Sequence, residues 1–573
     1  MSAFSWILAL TAWLNAYGTN IRFANGVFRS ERKVVLDVLT IVHAGRLALK
    51  GRIIRALSLI LAILRLSPGE NLQPITFFQY VFQRALWGKA GVALPPIVPV
   101  DVLAQESRNF WQRHEMEKSL ATKLGPMFTI LRPLSSTDYS PLVPIIFVSD
   151  PKAVETVLTD KVTYNTRGHT GFSLHVGDGL LGMVSGPKWS HHRRVVSTFL
   201  SEKHLREYAP AIQNQISIML SKWRKAGTLQ KPINCYYDMS MLTLDIIMNV
   251  GTGEHNELSS QQLIPEEENS FASDLDYGLQ DIVMRTAMPI MDYLPEPKIV
   301  EIKARMDIIF DKAVEIAKTK RIPNSMLDAL LNAKNDDGTL ALTEKEANEE
   351  FKTIRGAGHE TTSNTLCFML KLLQENPDKL ATLRKEVDLV VQGETTTYEE
   401  ARTLKYAYQV MFETLRLYPT VPSFPREASQ DAELNGYMVP KGSLVFVSQF
   451  PMNRNPDIWE DPDSFKPERF DDLPDLHPTK PVGVPGNKDL KYAFLPFGAG
   501  SRTCAGARLA MIEGVMILSS IVKNIDFKLD MLPEESLYVQ SDVTLGPKHG
   551  LPLRVHARES VFPTVIQETE TKH

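Results

Sequence analysis

The sequence predicts one large α+β domain, mainly helical with small, segregated sheets, and three observations predict it. Apolar residues recur at helical period from about residue 151 to 425, as in "AIQNQISIMLSKW" and "IIFDKAVEIAK". Strand-like runs are confined to "MFTIL" (127–131) and "IIFVSD" (145–150) before that stretch, and to segments such as "SLVFVSQF" after Arg426. One stiff proline-rich stretch, "LPPIVP" (94–99), precedes all of these, and no comparable linker, repeat or low-complexity tract follows it. The 573 residues would permit several domains. With a single boundary they divide instead into an N-terminal region 1–93, a hinge 94–100, one domain 101–560 and a tail 561–573.

The N-terminal region has its own charge pattern. Met1 to Ile21 carries no charged residue and includes "FSWILALTAWL" with two tryptophans. Residues 22–66 then hold nine Arg or Lys against Glu31 and Asp37, a local balance of +7. A spanning helix needs about 20 apolar residues, so the first segment is marginal. Basic charge behind it would keep the following domain on the cytoplasmic side. The reading is a membrane-associating region that spans the bilayer or lies in its interface, with a pair of soluble packing helices as the alternative. No basic stretch precedes the apolar run, which disfavours a cleaved signal peptide.

The domain itself follows in order. The first two strands form a hairpin across "RPLSSTDYSPLVP" (132–144), and the helical stretch is interrupted by loops at 254–270 and 336–344. The closing "DVTLGPKHGLPLRVH" reads as a second hairpin. A net charge of −4 gives no basic field for nucleic acid. Cys235, Cys367 and Cys504 are far apart in sequence and odd in number, which excludes a disulfide framework and suits a reducing compartment.

The chemistry concentrates around Cys504, in "PFGAGSRTCAG". It stands at or near the start of a long apolar helix, "CAGARLAMIEGVMILSSIV", where backbone N–H groups and the helix dipole favour a thiolate. Gly500 and Gly506 permit close approach to a flat partner. Phe497 could shield the sulfur and Arg502 could meet an anionic group. A lone thiolate with no second Cys or His at ligand spacing is not a zinc site. It suits an axial ligand to haem iron, where it donates electron density for O–O cleavage. Taken alone, a cysteine at a helix start is more often structural; the full Phe-x-x-Gly-x-Arg-x-Cys-x-Gly spacing reverses that weighting.

On this pattern the chain resembles the cytochrome P-450 family of haem-thiolate monooxygenases, whose haem-binding signature it matches at every fixed position. Three further stretches carry the resemblance, in the family's order. "AGHETT" (357–362) lies in a helix of roughly 346–374, where Thr361 can bond the carbonyl of Ala357 and Gly358 eases the distortion. Glu360 beside Thr361 makes a carboxylate–hydroxyl pair able to relay protons, and the resemblance makes it the oxygen-activation motif. "FETLRLYP" places Glu413 and Arg416 three apart, a spacing that is usually solvated; the resemblance makes the pair buried and locked to Arg469 of "FKPERF", in a structural role. "WSHHRR" places Trp189 and Arg193 on one helix face, and the resemblance assigns both to the haem propionates, with Arg426 and Arg502 as further donors.

The resemblance implies haem b ligated by Cys504, with electrons from NADPH through an NADPH-cytochrome reductase and cytochrome b5 as a second candidate donor. It also implies residence at a membrane such as the endoplasmic reticulum, with the catalytic domain facing the cytosol. Phe172, Leu174, Leu180, Val421 and Phe424 fall in the expected substrate-contacting segments and suggest a lipophilic small molecule of secondary or lipid metabolism. Two alternatives stay open: a haem-thiolate isomerase or dehydratase that needs no redox partner, and a non-catalytic haem protein that senses or carries a ligand. The Glu360–Thr361 pair argues against both.

Overall fold

The computed structural model describes residues 94–98, 112–133, 142–166, 177–253, 325–471, 491–531 and 536–558, with a few isolated positions, most of them between 277 and 319. The expected membrane-associating region, the loop at 254–270, "IIFDKAVEIAK" as a whole, Phe172 and Leu174 lie outside the described residues.

The main helices are α1 (Arg113–Leu124), α2 (Pro151–Thr159), α3 (Pro187–Phe199), α4 (Glu202–Thr228), α5 (Cys235–Thr252), α6 (Glu344–Glu375), α7 (Pro377–Val390), α8 (Lys405–Leu417) and α9 (Ala507–Asn524). The strands are β1 (Met127–Pro133), β2 (Leu142–Val148), β3 (Ile233–Asn234), β4 (Ser423–Glu427), β5 (Ala432–Leu434), β6 (Tyr437–Val439), β7 (Leu444–Ser448), β8 (Ile525–Leu529), β9 (Gln540–Ser541), β10 (Leu545–Gly546) and β11 (Pro552–Ala557). Apart from the two-residue β3, the strands flank the helical stretch, as the periodicities predict.

Helix α6 is the axis of the core. Thr343 and Glu346 start it with a reciprocal capping box, which removes two unsatisfied N–H groups from its first turn. Its middle, from Leu366 to Leu370, is fully buried and packs along α5, which is buried over almost its whole length. A helix apolar on every face must be wrapped by others, and α4, α8 and α9 complete the wrap.

The expected hairpin forms as β1–β2, with Met127 opposite Val148. β7 adds to β2 in parallel and β4 to β7 antiparallel, giving the order β1-β2-β7-β4. The proline-rich stretch lies against this sheet: Thr129 N–H donates to Pro96 O at 2.8 Å and Val98 N–H to Thr129 O at 2.9 Å.

One expectation is corrected here. The closing segment is not one hairpin. Leu545–Gly546 pairs with Gln540–Ser541, whereas Pro552–Ala557 joins β8 and β3 in another sheet. Local strand propensity cannot choose between partners, and here the partners lie elsewhere in the chain. Cys235 and Cys367 are distant in sequence but adjacent in the core. Burial, and then a hydrogen bond with Cys367, pushes the Cys235 thiol well up, and both thiols are free.

Candidate active site

The signature loop precedes α9 directly. Gly498 and Gly500 have φ of 68° and 75°, in the left-handed region that favours glycine. A Cβ on Gly500 would meet the carbonyl oxygen of Leu158 at 2.3 Å, so only glycine fits against α2. Cys504 N–H donates to Phe497 O at 2.9 Å, which folds the loop back and leaves the thiol exposed. The helix proper begins at Ala507, with Gly506 as its cap. Cys504 therefore stands two residues before the cap and not within the first turn.

The thiol opens on a cavity of about 440 Å³. Trp189, Arg193, Glu360, Thr361, Arg426, Phe497, Arg502 and Cys504 all line it, so every site residue predicted around cofactor and oxygen chemistry meets at one place. Trp189 and Arg193 come from α3, Glu360 and Thr361 from α6, Arg426 from β4. The Arg502 guanidinium lies 4.0 Å over the Trp189 ring. It donates to Leu180 O at 3.1 Å and Met183 O at 2.9 Å, which clamps the signature loop to the segment before α3. Burial holds the Arg193 guanidinium below its usual pKa, and the charge on the Cys504 sulfur pulls it back up. The two groups are thus within electrostatic reach.

On α6, Thr361 Oγ1 donates to Ala357 O at 2.9 Å, the back-bond its position predicts. Thr362, Ser363 and Thr365 bond back along the helix in the same way. The helix is nonetheless continuous from Glu344 to Glu375, so the expected opening at Gly358 does not interrupt it. A Cβ on Gly358 would touch Ile247 at an ordinary 3.6 Å, whereas one on Gly356 would meet nothing within 4 Å. Free space at this wall thus comes from Gly356.

The pair Glu413–Arg416 is fully buried on α8. Arg416 Nη2 donates to Glu413 Oε1 at 2.7 Å and Nε to Oε2 at 2.8 Å, the two-pronged geometry a guanidinium allows. Arg469 Nε adds a bond to Glu413 Oε1 at 3.2 Å. Arg416 also donates to the carbonyls of Asn453, Pro462 and Ser464. The triad therefore pins the chain between β7 and the signature loop. Neither Glu413 nor Arg416 lines the cavity.

Sequence reasoning missed several residues. Glu360 is ion-paired to Lys548, itself 3.8 Å from Asp542, and all three side chains are covered. A lysine in a Gly/Pro loop reads as solvated, and only the path of the chain after β10 carries it inward. Glu513 on α9 lines the cavity and is pushed up to about 8 by burial. Arg355 on α6 also lines it and is held down at about 9 by burial. Of the predicted substrate-contacting residues, Leu180, Val421 and Phe424 line the cavity.

These residues fit a haem. The Trp189 indole nitrogen is buried with no hydrogen-bond partner, as a donor awaiting a propionate would be. The guanidinium-bearing residues Arg193, Arg426 and Arg502 line the same cavity. Gly506, like Gly356, presents a face on which a Cβ would meet nothing within 4 Å, suited to a flat ring. Among the described residues no cluster of His, Cys, Asp and Glu offers a competing metal site. The arrangement of fold and cavity defines a haem-thiolate protein.

Comparison with known sequences agrees. The chain belongs to the cytochrome P450 family, whose sequence model matches residues 94–551. It is 26% identical over 501 residues to Cytochrome P450 3A6 of Oryctolagus cuniculus, covering 83% of this chain and 94% of that protein. It is 27% identical over 454 residues to Cytochrome P450 4V2 of Rattus norvegicus, covering 74% and 82%. A third relative is the Bifunctional cytochrome P450/NADPH--P450 reductase 2 of Bacillus subtilis (strain 168), 28% identical over 82% of this chain and 43% of that longer protein. The protein is thus an oxidoreductase, a haem-thiolate monooxygenase. Among the described residues no helix is long and apolar enough to cross a membrane.

Proposed function

We propose that this enzyme inserts one oxygen atom from O2 into a lipophilic small molecule, by hydroxylation, epoxidation or successive oxidation, in secondary or lipid metabolism. The observation that carries this reading is the joint lining of one cavity by Cys504 and by the Glu360–Thr361 pair. Bound haem would supply the iron centre at which O2 is activated. Cys504 would ligate it as the thiolate, and Trp189, Arg193, Arg426 and Arg502 would hold its propionates. Phe497 would shield the sulfur. Val196, Leu200, Ile247, Ile282, Met411 and Leu415 give the cavity apolar walls that exclude water and suit a lipophilic substrate.

Glu360 and Thr361 would handle protons. The Glu360 carboxylate is ion-paired with the Lys548 ammonium in a buried setting. Thr361 Oγ1 donates to Ala357 O, which leaves the oxygen as an acceptor on the cavity wall. A proton drawn from the side of Lys548 and Asp542 can then pass by way of Glu360 to the hydroxyl. This equipment has no use in a redox-independent isomerase or a haem carrier. Such help is typically worth about 10²–10⁴-fold, so in Thr361→Ala product formed per NADPH should fall toward the lower end of that range. Haem and substrate binding should survive, and hydrogen peroxide should take up the missing electrons. An unchanged ratio of product to NADPH would reduce Thr361 to a helix residue.

Electrons would come from NADPH through a reductase, a partner made plausible by the fused reductase in the Bacillus subtilis relative's name, with cytochrome b5 as an additional donor. The apolar residues 1–21 and the +7 stretch behind them support attachment to a membrane of the endoplasmic reticulum, with the catalytic domain facing the cytosol. Removal of residues 1–93 should move the protein to the soluble fraction with haem retained. A truncated chain that stayed wholly in washed membranes would rule out this region as the anchor.

A further inference from the structure

One part of the cavity wall is polar in a way that neither haem nor proton delivery uses. It is built by α1, β4 and the end of β7, where Ser423 pairs in register with Ser448. Ser423 Oγ donates to Glu117 Oε1 at 3.0 Å, and Arg113 Nη2 reaches the same hydroxyl at 3.5 Å. Arg113 Nε lies 3.3 Å from Glu117 Oε1. Gln449, the residue after Ser448, donates from Nε2 to Val421 O at 2.9 Å, while its own N–H donates to Pro422 O at 2.8 Å. Arg113, Ser423 and Gln449 line the cavity.

The hydrogen-bond inventory of this cluster is incomplete. Because Val421 O demands a donor, the Gln449 amide can point only one way, and its Oε1 is left buried without a partner among the described residues. Glu117, by contrast, accepts from Ser423 and bonds with Ser448, and Arg113 Nε faces Glu117 Oε1. Gln449 is only 2% exposed and Glu117 fully buried, so bulk water does not serve them. Buried polar atoms left this way in a native protein call for a ligand or an ordered water. The charges of Arg113 and Glu117 already match each other, so the cluster does not ask for an ion. It asks for a group that gives one hydrogen bond and takes another.

We infer that this wall is a recognition subsite for the hydroxyl group of a lipophilic alcohol. The inference rests on the reading of the cavity as the substrate site. The hydroxyl would donate to Gln449 Oε1 and accept from Arg113, while the apolar body of the molecule fills the rest of the space. A carboxylate has no proton to donate and would meet Glu117; an ammonium would add a second cation beside Arg113. Ser423 is three residues along β4 from Arg426, about 10 Å at a strand's rise of roughly 3.3 Å per residue. The subsite therefore holds the substrate by an end remote from Arg426, and so decides which carbon is presented for oxidation.

The test titrates the holoprotein with nonan-1-ol, nonane and nonanoate, read by difference absorbance of the haem and by the shift in melting temperature, neither of which needs turnover. Wild type should bind nonan-1-ol most tightly. Gln449→Leu, with Gln449→Met as a second variant of similar volume, should weaken nonan-1-ol by about 5–10-fold, the worth of one ordinary hydrogen bond, and leave nonane unchanged. Equal weakening of all three ligands, or tightest binding of nonanoate, would overturn the hydroxyl subsite while the cavity reading stood. Failure of wild type to bind any of the three would overturn the cavity reading itself, and the subsite with it.

Discussion

Cys504→Ala should yield a protein without the thiolate absorption band of the reduced, carbon-monoxide-bound state and without monooxygenase activity. The reason is local and complete. Among the described residues Cys504 is the only cysteine that lines the cavity, and Cys235 and Cys367 are sealed in the core against each other. Neither of the other two thiols can substitute for it. Loss of the thiolate also changes the electrostatics of the pocket, because Arg193 lies within its reach. Haem content, the carbon-monoxide difference spectrum and product formation should be measured together. Cys235→Ala and Cys367→Ala should keep the band, with only the modest cost of a small core cavity. A band retained in Cys504→Ala with full activity would remove the assignment of Cys504 as the iron ligand.

Arg416→Leu should be the most destabilising single change outside the cavity. Arg416 is fully buried and makes two bonds to Glu413 and three to main-chain carbonyls. Its removal leaves a buried carboxylate held by Arg469 and the Lys466 N–H, together with carbonyl groups that lose their donor. Breaking a buried pair from one side costs about 3–5 kcal/mol, against a total stability of about 5–15 kcal/mol for a native protein. Little soluble, haem-loaded protein should accumulate, and whatever does should unfold at lower denaturant. Arg416→Lys should rescue poorly, since an ammonium cannot make the paired bonds. Arg469→Gln should be milder, because Arg416 still holds Glu413. An unfolding midpoint equal to wild type in Arg416→Leu would mean that the triad does not brace this part of the fold.

The residues of the site were legible in the sequence because their chemistry is written in short, fixed spacings. The run from Phe497 to Gly506 needs glycines for left-handed backbone and close approach, an arginine and one thiol within a single loop, so the constraint is local. The back-bond of Thr361 to Ala357 is likewise a property of one helical turn. Helix and strand zones could be read because burial imposes periods of 3.6 and 2 on the apolar residues. Partners distant in the chain could not be read in this way. The closing segment looks like a hairpin, yet its two halves join different sheets. Lys548 looks solvated and is buried against Glu360. Arg113 and Glu117 belong to a short polar helix, and only the packing of α1 beside β4 brings Arg113 to the cavity wall and Glu117 against Ser423. The sequence by itself determined the family, and it was enough to propose the iron ligand and the proton-handling pair. Tertiary structure alone decided which charges are buried together and which polar atoms are left for a ligand, because burial is created by segments that approach from hundreds of residues away.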